Sequence, residues 1–320
     1  MKKKLYSIII LTTLTLLTLN IFIKSNTLNQ TIVFSINLFI KNILPSLFPM
    51  FIISFILVEL DIPLILGNLL KKPIHFLFKS KKEASFIFFM SMITGFPSSA
   101  KYLDDLMNKN ILTNKDSEKI LMFTFFSNPL FIVNTVGTLF LGNKQIGICL
   151  LISHIIGNII VGIIFRNYNK EITQETTKIK NLSYLNNKIN NTNIFTVLIK
   201  AIESSLKTLI NIFGIITFFL IITNLIYKDT TNLINIIQIG LLEMTSGLKY
   251  LSLSNIDINI KLPLAAFFIS FGGFSIHFQI MSILNKKKVK YLPFLIARII
   301  HGIISFMFMI LLVQKMDILF

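Results

Sequence analysis

Phe271-Gly272-Gly273-Phe274-Ser275-Ile276-His277-Phe278-Gln279 sits inside an apolar run covering residues 262–284. Paired glycines, a serine, a histidine and a glutamine occupy positions where hydrocarbon favours leucine. In a bilayer every backbone polar group needs a protein partner, so irregular backbone survives only when buried in protein or lining a cavity. Polar and ionisable side chains at that depth are costly and mark pathways. The stretch predicts a broken helix in a polytopic carrier, with Gly272, Gly273, Ser275, His277 and Gln279 beside the ligand path.

Composition agrees. The 320-residue chain is 53% hydrophobic with a mean hydropathy of +0.75, and several runs reach the length a membrane span needs. A net charge of +17 would suit a nucleic-acid binder, but the lysines fall between the apolar runs. That is the positive-inside pattern, and no basic patch has the aromatic spacing of an RNA-binding sheet, so no nucleic acid is expected as a partner. The lone cysteine, Cys149, makes no intrachain disulfide, and no His/Cys/Asp/Glu cluster has ligand spacing. Neither metal nor cofactor is expected. Without a Walker loop, a dinucleotide fingerprint or a nucleophile elbow, ATP-driven transport and enzymatic hydrolysis are not expected either.

Along the chain, Lys2-Lys3-Lys4 before the apolar run 5–23 predicts an uncleaved membrane span within residues 1–30, its amino terminus cytoplasmic. The run 32–60 contains Pro45 and Pro49 and predicts a bent span. Residues 61–83 mix lysines with leucines, an interfacial amphipathic piece. The run 84–100 ends in Gly95-Phe96-Pro97-Ser98-Ser99-Ala100-Lys101, and the run 120–141 is interrupted by Ser127-Asn128-Pro129. Residues 166–193, rich in Lys, Asn and Thr, read as a cytoplasmic linker between halves at 31–165 and 194–320.

Charge decides sidedness. If 84–100 crossed the bilayer fully, the basic linker would fall outside; if it enters and returns, the lysine-rich loops land inside. In the second half the lysines of 249–261 and of 286–290 are expected on one side by the same rule. The expected architecture is therefore an all-α polytopic membrane protein of about 8 spans, with two re-entrant or broken helices, one per half, in an internal repeat. That repeat sets Gly95-Phe96 against Gly273-Phe274, Ser99 against His277 and Lys101 against Gln279. Duplication around broken helices, with the site where the halves meet, is a common plan for secondary transporters.

The residues at the breaks suit an anion. Gly95 and Pro97 would leave a half-helix end whose free N–H groups, with Ser98 and Ser99, face a cavity, and Lys101 adds a full charge. Ser127 and Asn128 can bond both a freed carbonyl and a ligand. Arg298 and His301, three apart, share a helix face. Arg298 either snorkels to the interface, pairs with Glu243, the lone carboxylate deep in a span, or grips a substrate carboxylate bidentately.

Gly95-Phe96-Pro97-Ser98-Ser99-Ala100-Lys101, Phe126-Ser127-Asn128-Pro129-Leu130-Phe131, Leu242-Glu243-Met244-Thr245-Ser246-Gly247, the Phe271–Gln279 stretch and Ala297-Arg298-Ile299-Ile300-His301 together resemble the YlbJ-type sporulation integral membrane proteins. The likeness covers residues 32–313 with the motifs in the same order. Phe96, where relatives often show tyrosine, and the Asn/Lys-rich linker depart from the pattern. That family is similar to the nucleoside-recognition or Gate proteins, related to concentrative nucleoside transporters. The resemblance implies two Gate-like repeats and a multi-pass protein of the mother-cell-derived outer forespore membrane. It also implies that this protein passes dipicolinic acid, a small aromatic dicarboxylate, during endospore formation. On that implication Lys101 and Arg298 neutralise the carboxylates, and Ser98, Ser99, Asn128 and Gln279 supply hydrogen bonds, with His277 and His301 close by. Glu243 binds a coupling proton or holds Arg298. A nucleoside or other small metabolite is the alternative cargo, and a non-transporting scaffold for cortex assembly the alternative role. The expected partners are a small anionic substrate and the lipid bilayer, with homo-oligomerisation left open.

Overall fold

The computed structural model describes residues 11, 12, 15, 18, 19, 22–169, 192–227 and 232–316. Much of the expected N-terminal span and most of the 166–193 linker lie outside the described residues. Among those residues every regular element is a helix, and the chain is an all-α polytopic membrane protein. Lys144–Asn167, Ile194–Ile226, Ile258–Lys287 and Tyr291–Gln314 are each long and apolar enough to cross a bilayer, and Leu28–Lys41 with Leu44–Glu59, bent by 46°, makes a fifth.

The bend has a cause. Helix α1 (Ser25–Leu38) passes through a π-helical turn, Phe39–Ile43, into α2 (Leu44–Glu59), whose first turn holds Pro45. A proline ring collides with the carbonyl four residues earlier, and a widened turn makes room for it. Helix α3 (Ile62–Phe78) starts after a left-handed Asp61 and stops at a left-handed Lys79. Both of its ends lie at one end of the molecule: Asp61 is 3.7 Å from Lys109, and Lys119 donates to the Lys79 carbonyl at 2.6 Å. It therefore lies across the bundle, burying Ile74 and Phe78 and exposing Phe76, as its leucine and lysine pattern predicts.

Helices α4 (Ala84–Thr94) and α5 (Ser98–Asn108) form a hairpin. On one straight helix Phe86 and Tyr102 would stand about 24 Å apart; their ring centroids are 5.9 Å apart. Helix α6 (Asn114–Phe123), begun by a Thr113–Asp116 capping box, leads into backbone unwound over 124–128 and then a π-helical segment, Phe131–Phe140. Helix α7 (Lys144–Ile164) returns. The second half opens with α8 (Ile194–Ile226), antiparallel to α1 and α2: Thr217 bonds Ser35, Asn224 bonds Thr31, and Lys24 bonds the Leu225 carbonyl. Helices α9 (Leu233–Leu242) and α10 (Met244–Leu253) fold back on each other at Glu243. They touch so closely that a Cβ on Gly247 would lie 2.2 Å from the Gly240 Cα. Helices α11 (Ile258–Phe271) and α12 (Gly273–Leu284) continue one another across Gly272 and Gly273, and α13 (Tyr291–Met316) closes the bundle.

The lysine-rich loops of the first half and the 285–290 loop interlock at one end. Lys81 pairs with Asp116 at 2.7 Å, Lys79 bonds Asn167, Tyr168 and the Lys290 N–H both reach Glu118, and Lys287 bonds Asn108. A re-entrant first hairpin requires this arrangement. The second-half expectation is corrected: the whole length of α11–α12 separates Lys261 from Lys286, so lysines 249–261 lie at the opposite end. Their charge has other uses. Lys261 donates to the Ser252 and Ser254 carbonyls at the end of α10, and Lys249 sits over the Phe34 ring.

The pairing of Gly95-Phe96 with Gly273-Phe274 is corrected as well. The first is a hairpin tip and the second an interruption in a continuous span. The counterpart of the first tip is Glu243, and the counterpart of the unwound 124–128 is Gly272-Gly273. Ser99 therefore does not correspond to His277, nor Lys101 to Gln279. Each half runs hairpin, broken span, closing span, and the two hairpins enter from opposite ends.

Candidate functional site

Both hairpin tips and both interrupted spans border one cavity of about 780 Å³. Thr94, Phe96 and Pro97 come from the first tip, Ser127 and Asn128 from the unwound segment, Glu243, Thr245 and Ser246 from the second tip, and Gln279 from α12. Lys41, in the π-helical turn after α1, and Lys249, on α10, also line it, neither of them buried within the protein. Gln30, Asn224 and Lys249 carry the cavity wall towards the end marked by the Lys24–Leu225 bond, opposite to the basic loops.

Asn128 joins the first tip to the unwound segment. Its Oδ1 accepts the N–H groups of Leu130 (2.8 Å) and Phe131 (3.4 Å), capping the helix that restarts there, while its Nδ2 donates to the Thr94 carbonyl (3.3 Å) and Ser46 (3.4 Å). Phe96 N–H donates to the Phe126 carbonyl at 2.5 Å. Tip and unwound strand are thus docked backbone to backbone. Ser127 Oγ is buried and bonded to nothing in the described residues, which leaves a hydroxyl for a ligand.

Glu243 caps α10. Its two oxygens accept the N–H groups of Thr245 (3.0 Å) and Ser246 (2.7 Å). A carboxylate there satisfies orphan donors and faces the positive end of the helix dipole. Glu243→Ala is expected to lower stability by roughly 1–2 kcal/mol, with Glu243→Gln recovering part of it, read by thermal unfolding in detergent. Retention of full stability by the alanine variant would count against the cap.

Behind the cavity, a polar clamp holds the unwound segment. Fully buried Arg298 donates to the Met122 carbonyl, to Asn158 Oδ1 (3.3 Å) and to His301 Nδ1 (3.0 Å), and its guanidinium lies 4.6 Å from the centre of the Phe125 ring. Asn158 Nδ2 donates to the Phe123 carbonyl (3.1 Å), and the Ser127 N–H donates to His154 Nε2 (2.9 Å). Side chains of α7 and α13 thereby satisfy the backbone groups that unwinding frees. The partners fix the protons of His154 and His301. His154 accepts at Nε2, so its Nδ1–H donates to Ser270 Oγ (2.9 Å), which donates to Ser305 (2.8 Å), which donates to the Ser153 carbonyl (3.2 Å). His301 accepts at Nδ1 and donates from Nε2 to the His154 carbonyl (2.8 Å). His277 donates from Nε2 to the Phe271 carbonyl freed by the Gly272 break (2.8 Å), and its Nδ1 shares a hydrogen bond with the Tyr291 hydroxyl (3.0 Å). His154 and His301, each accepting from an N–H, are neutral in this network.

Of the residues expected at the site, Pro97, Ser127, Asn128, Glu243 and Gln279 line the cavity. Gly95, Gly272 and Gly273 shape the turns, all at positive φ. Ser275 accepts from Gln279 at 3.3 Å, and Ser98 and Ser99 are buried beneath the first tip, outside the cavity lining. Lys101 is placed elsewhere: buried, it pairs with Asp105 at 2.5 Å and bonds Ser204 at 2.9 Å. Arg298, His301 and His277 serve the freed backbone, and Arg298 turns away from Glu243 towards Met122. The cations that do line the cavity are Lys41 and Lys249. Lys41, a charge inside an apolar run, was visible as a signal; Lys249 reads in sequence as a loop lysine.

Among known proteins, the chain is 28% identical over 300 residues to the sporulation integral membrane protein YlbJ of Bacillus subtilis (strain 168), a match covering 84% of this chain and 74% of that protein. No family model matches, and no solved structure does. The likeness carried by the motifs is thereby borne out.

Proposed function

We propose that this chain, a relative of the YlbJ-type sporulation integral membrane proteins, is a secondary transporter of a small aromatic dicarboxylate, dipicolinate, in the outer forespore membrane. The similarity supports a membrane role in sporulation; the cargo rests on the cavity. One observation carries the reading: two hairpin tips and two interrupted spans enclose a chamber bordered by Lys41 and Lys249. Broken spans meeting between inversely oriented halves are the working parts of alternating access. A dianion entering from the open end meets two ammonium groups, the free Ser127 hydroxyl, amides of Asn128 and Gln279, and the rings of Phe96, Phe131 and Tyr250. If the interlocked basic end faces the cytoplasm, the chamber opens to the opposite compartment.

Lys41 and Lys249 are exposed, so their contribution lies in capture and is screened by salt. Lys41→Gln and Lys249→Gln are each expected to slow dipicolinate association by about threefold to tenfold at low salt, with the difference shrinking at high salt. Stopped-flow binding to purified protein reads this directly. Salt-independent association, equal in both variants, would remove the anion reading.

Glu243, Gln279 and Asn128 on one wall favour a second cargo, because a carboxylate and amides suit the hydroxyls of a nucleoside. Uptake of labelled uridine against labelled dipicolinate in proteoliposomes separates the two. A scaffold without transport predicts uptake of neither.

A further inference from the structure

Phe96 forms part of the chamber wall, and beneath it a column of rings leads towards the basic end. The Phe96 ring stacks on Phe125 with centroids 4.8 Å apart, Phe125 meets Phe294 at 5.5 Å, and Phe294 meets His277 at 5.0 Å. His277 is then hydrogen-bonded to the hydroxyl of Tyr291, the first residue of α13 and the neighbour of the basic loop 285–290. Four separate elements contribute: the first hairpin tip, the unwound segment, α12 and α13.

The column differs from the clamp beside it. The clamp is held by directional hydrogen bonds to backbone, whereas the column's members meet one another through ring contacts and one side-chain hydrogen bond, between Tyr291 and His277, with His277 itself anchored to the Phe271 carbonyl. Ring contacts tolerate sliding; hydrogen bonds to freed backbone do not. Phe125 belongs to the fixed part. Arg298 lies over its ring, and a Cβ on Gly272 would come within 2.5 Å of its Cζ, so the ring fills the hollow that the glycine leaves. Phe96 sits on a hairpin tip, and its backbone contact to the unwound strand is a single hydrogen bond to Phe126.

We infer that Phe96, closing on the fixed pair Phe125 and Phe294, with the Tyr291–His277 bond as a latch below, is the gate that seals the chamber from the basic end. Passage to that end requires the tip to lift Phe96 off Phe125 and the latch to release. The inference rests on the carrier reading, and its test separates the two.

In a Cys149→Ser background, Ser127→Cys places an isosteric thiol on the chamber floor, where the native hydroxyl has no partner to lose. A membrane-impermeant thiol reagent is applied to one face at a time of sealed vesicles of known orientation. The thiol should react from the open end and only slowly from the basic end. Adding Tyr291→Phe should raise the basic-end rate roughly fivefold, what loss of one ordinary hydrogen bond does to a two-state population, and Phe96→Ala should raise it further. Both proteins should stay monodisperse. Folded variants whose basic-end rate is unmoved, or rises equally from both ends, would overturn the gate and leave the carrier standing. A thiol that reacts from neither face would remove the chamber and the gate with it.

Discussion

Gly95→Ala is expected to abolish ligand binding and to lower stability by about 3 kcal/mol or more. Gly95 holds φ 79° and ψ 173°, a region that is essentially glycine's alone, and a side chain forced into it costs on the order of 1–3 kcal/mol. The space is closed too. A Cβ there would lie 2.4 Å from the Asn128 nitrogen and 2.8 Å from its Cα. Both are backbone atoms, so no rotamer change relieves the overlap; the tip must lift. Lifting breaks the Phe96–Phe126 and Asn128–Thr94 bonds, each with a net worth of about 1 kcal/mol. It also moves Phe96 and Pro97 off the chamber wall and away from Asn128. Gly214→Ala is the control: a helical glycine with open space around it, it should be neutral or gain roughly 0.5–1 kcal/mol from helix propensity. Thermal unfolding and calorimetric titration with dipicolinate measure both effects. Wild-type binding and melting in Gly95→Ala would mean that the tip does not depend on close docking to the unwound strand.

The sequence was most legible where lipid imposes a rule. Apolar run length placed the long spans but read 233–251 as one more, where the structure has a hairpin turning at Glu243. The cost of freed backbone in hydrocarbon picked out Gly95-Phe96-Pro97, Ser127-Asn128-Pro129 and Gly272-Gly273 as the interruptions. Lysine placement showed that residues 84–100 return to the side they came from. Glu243 was legible as a deep carboxylate but not as a hairpin tip, because no glycine or proline stands there; a carboxylate capping its own helix gives a quieter signal. Polar residues near breaks have two possible employers, ligand and freed carbonyl, and the pattern alone does not say which. His277 and Arg298 went to the carbonyls of Phe271 and Met122. Asn128 caps a helix and also lines the chamber. Lys101 found Asp105 one helical turn away, a pair that i,i+4 spacing allows and that a search for anion ligands passes over. Lys41 and Lys249 reach the same chamber only because α8 brings α1 and the second hairpin round it, a long-range fact with no local trace.

Arg298→Met is expected to lower stability by roughly 3–5 kcal/mol, since each buried acceptor left without its donor costs about 1–3 kcal/mol, and to deplete the protein from the membrane. Three acceptors depend on that guanidinium: the Met122 carbonyl, Asn158 Oδ1 and His301 Nδ1. Methionine fills most of the volume and donates to none of them. The Met122 carbonyl then faces hydrocarbon unpaired beside the start of the unwound segment, and Phe125 loses the cation over its ring. Arg298→Lys is not a conservative repair, since a point ammonium cannot reproduce a planar fork reaching a carbonyl and an imidazole at once; an intermediate loss is expected. The reading of Arg298 as a carboxylate ligand makes the opposite forecast for the same proteins, normal membrane levels and melting with transport abolished. Quantified membrane abundance and melting temperature of both variants therefore decide between a residue that holds the site's backbone and one that holds its cargo. Full abundance and unchanged melting in Arg298→Met would hand Arg298 back to the ligand and leave the unwound segment without its strongest support.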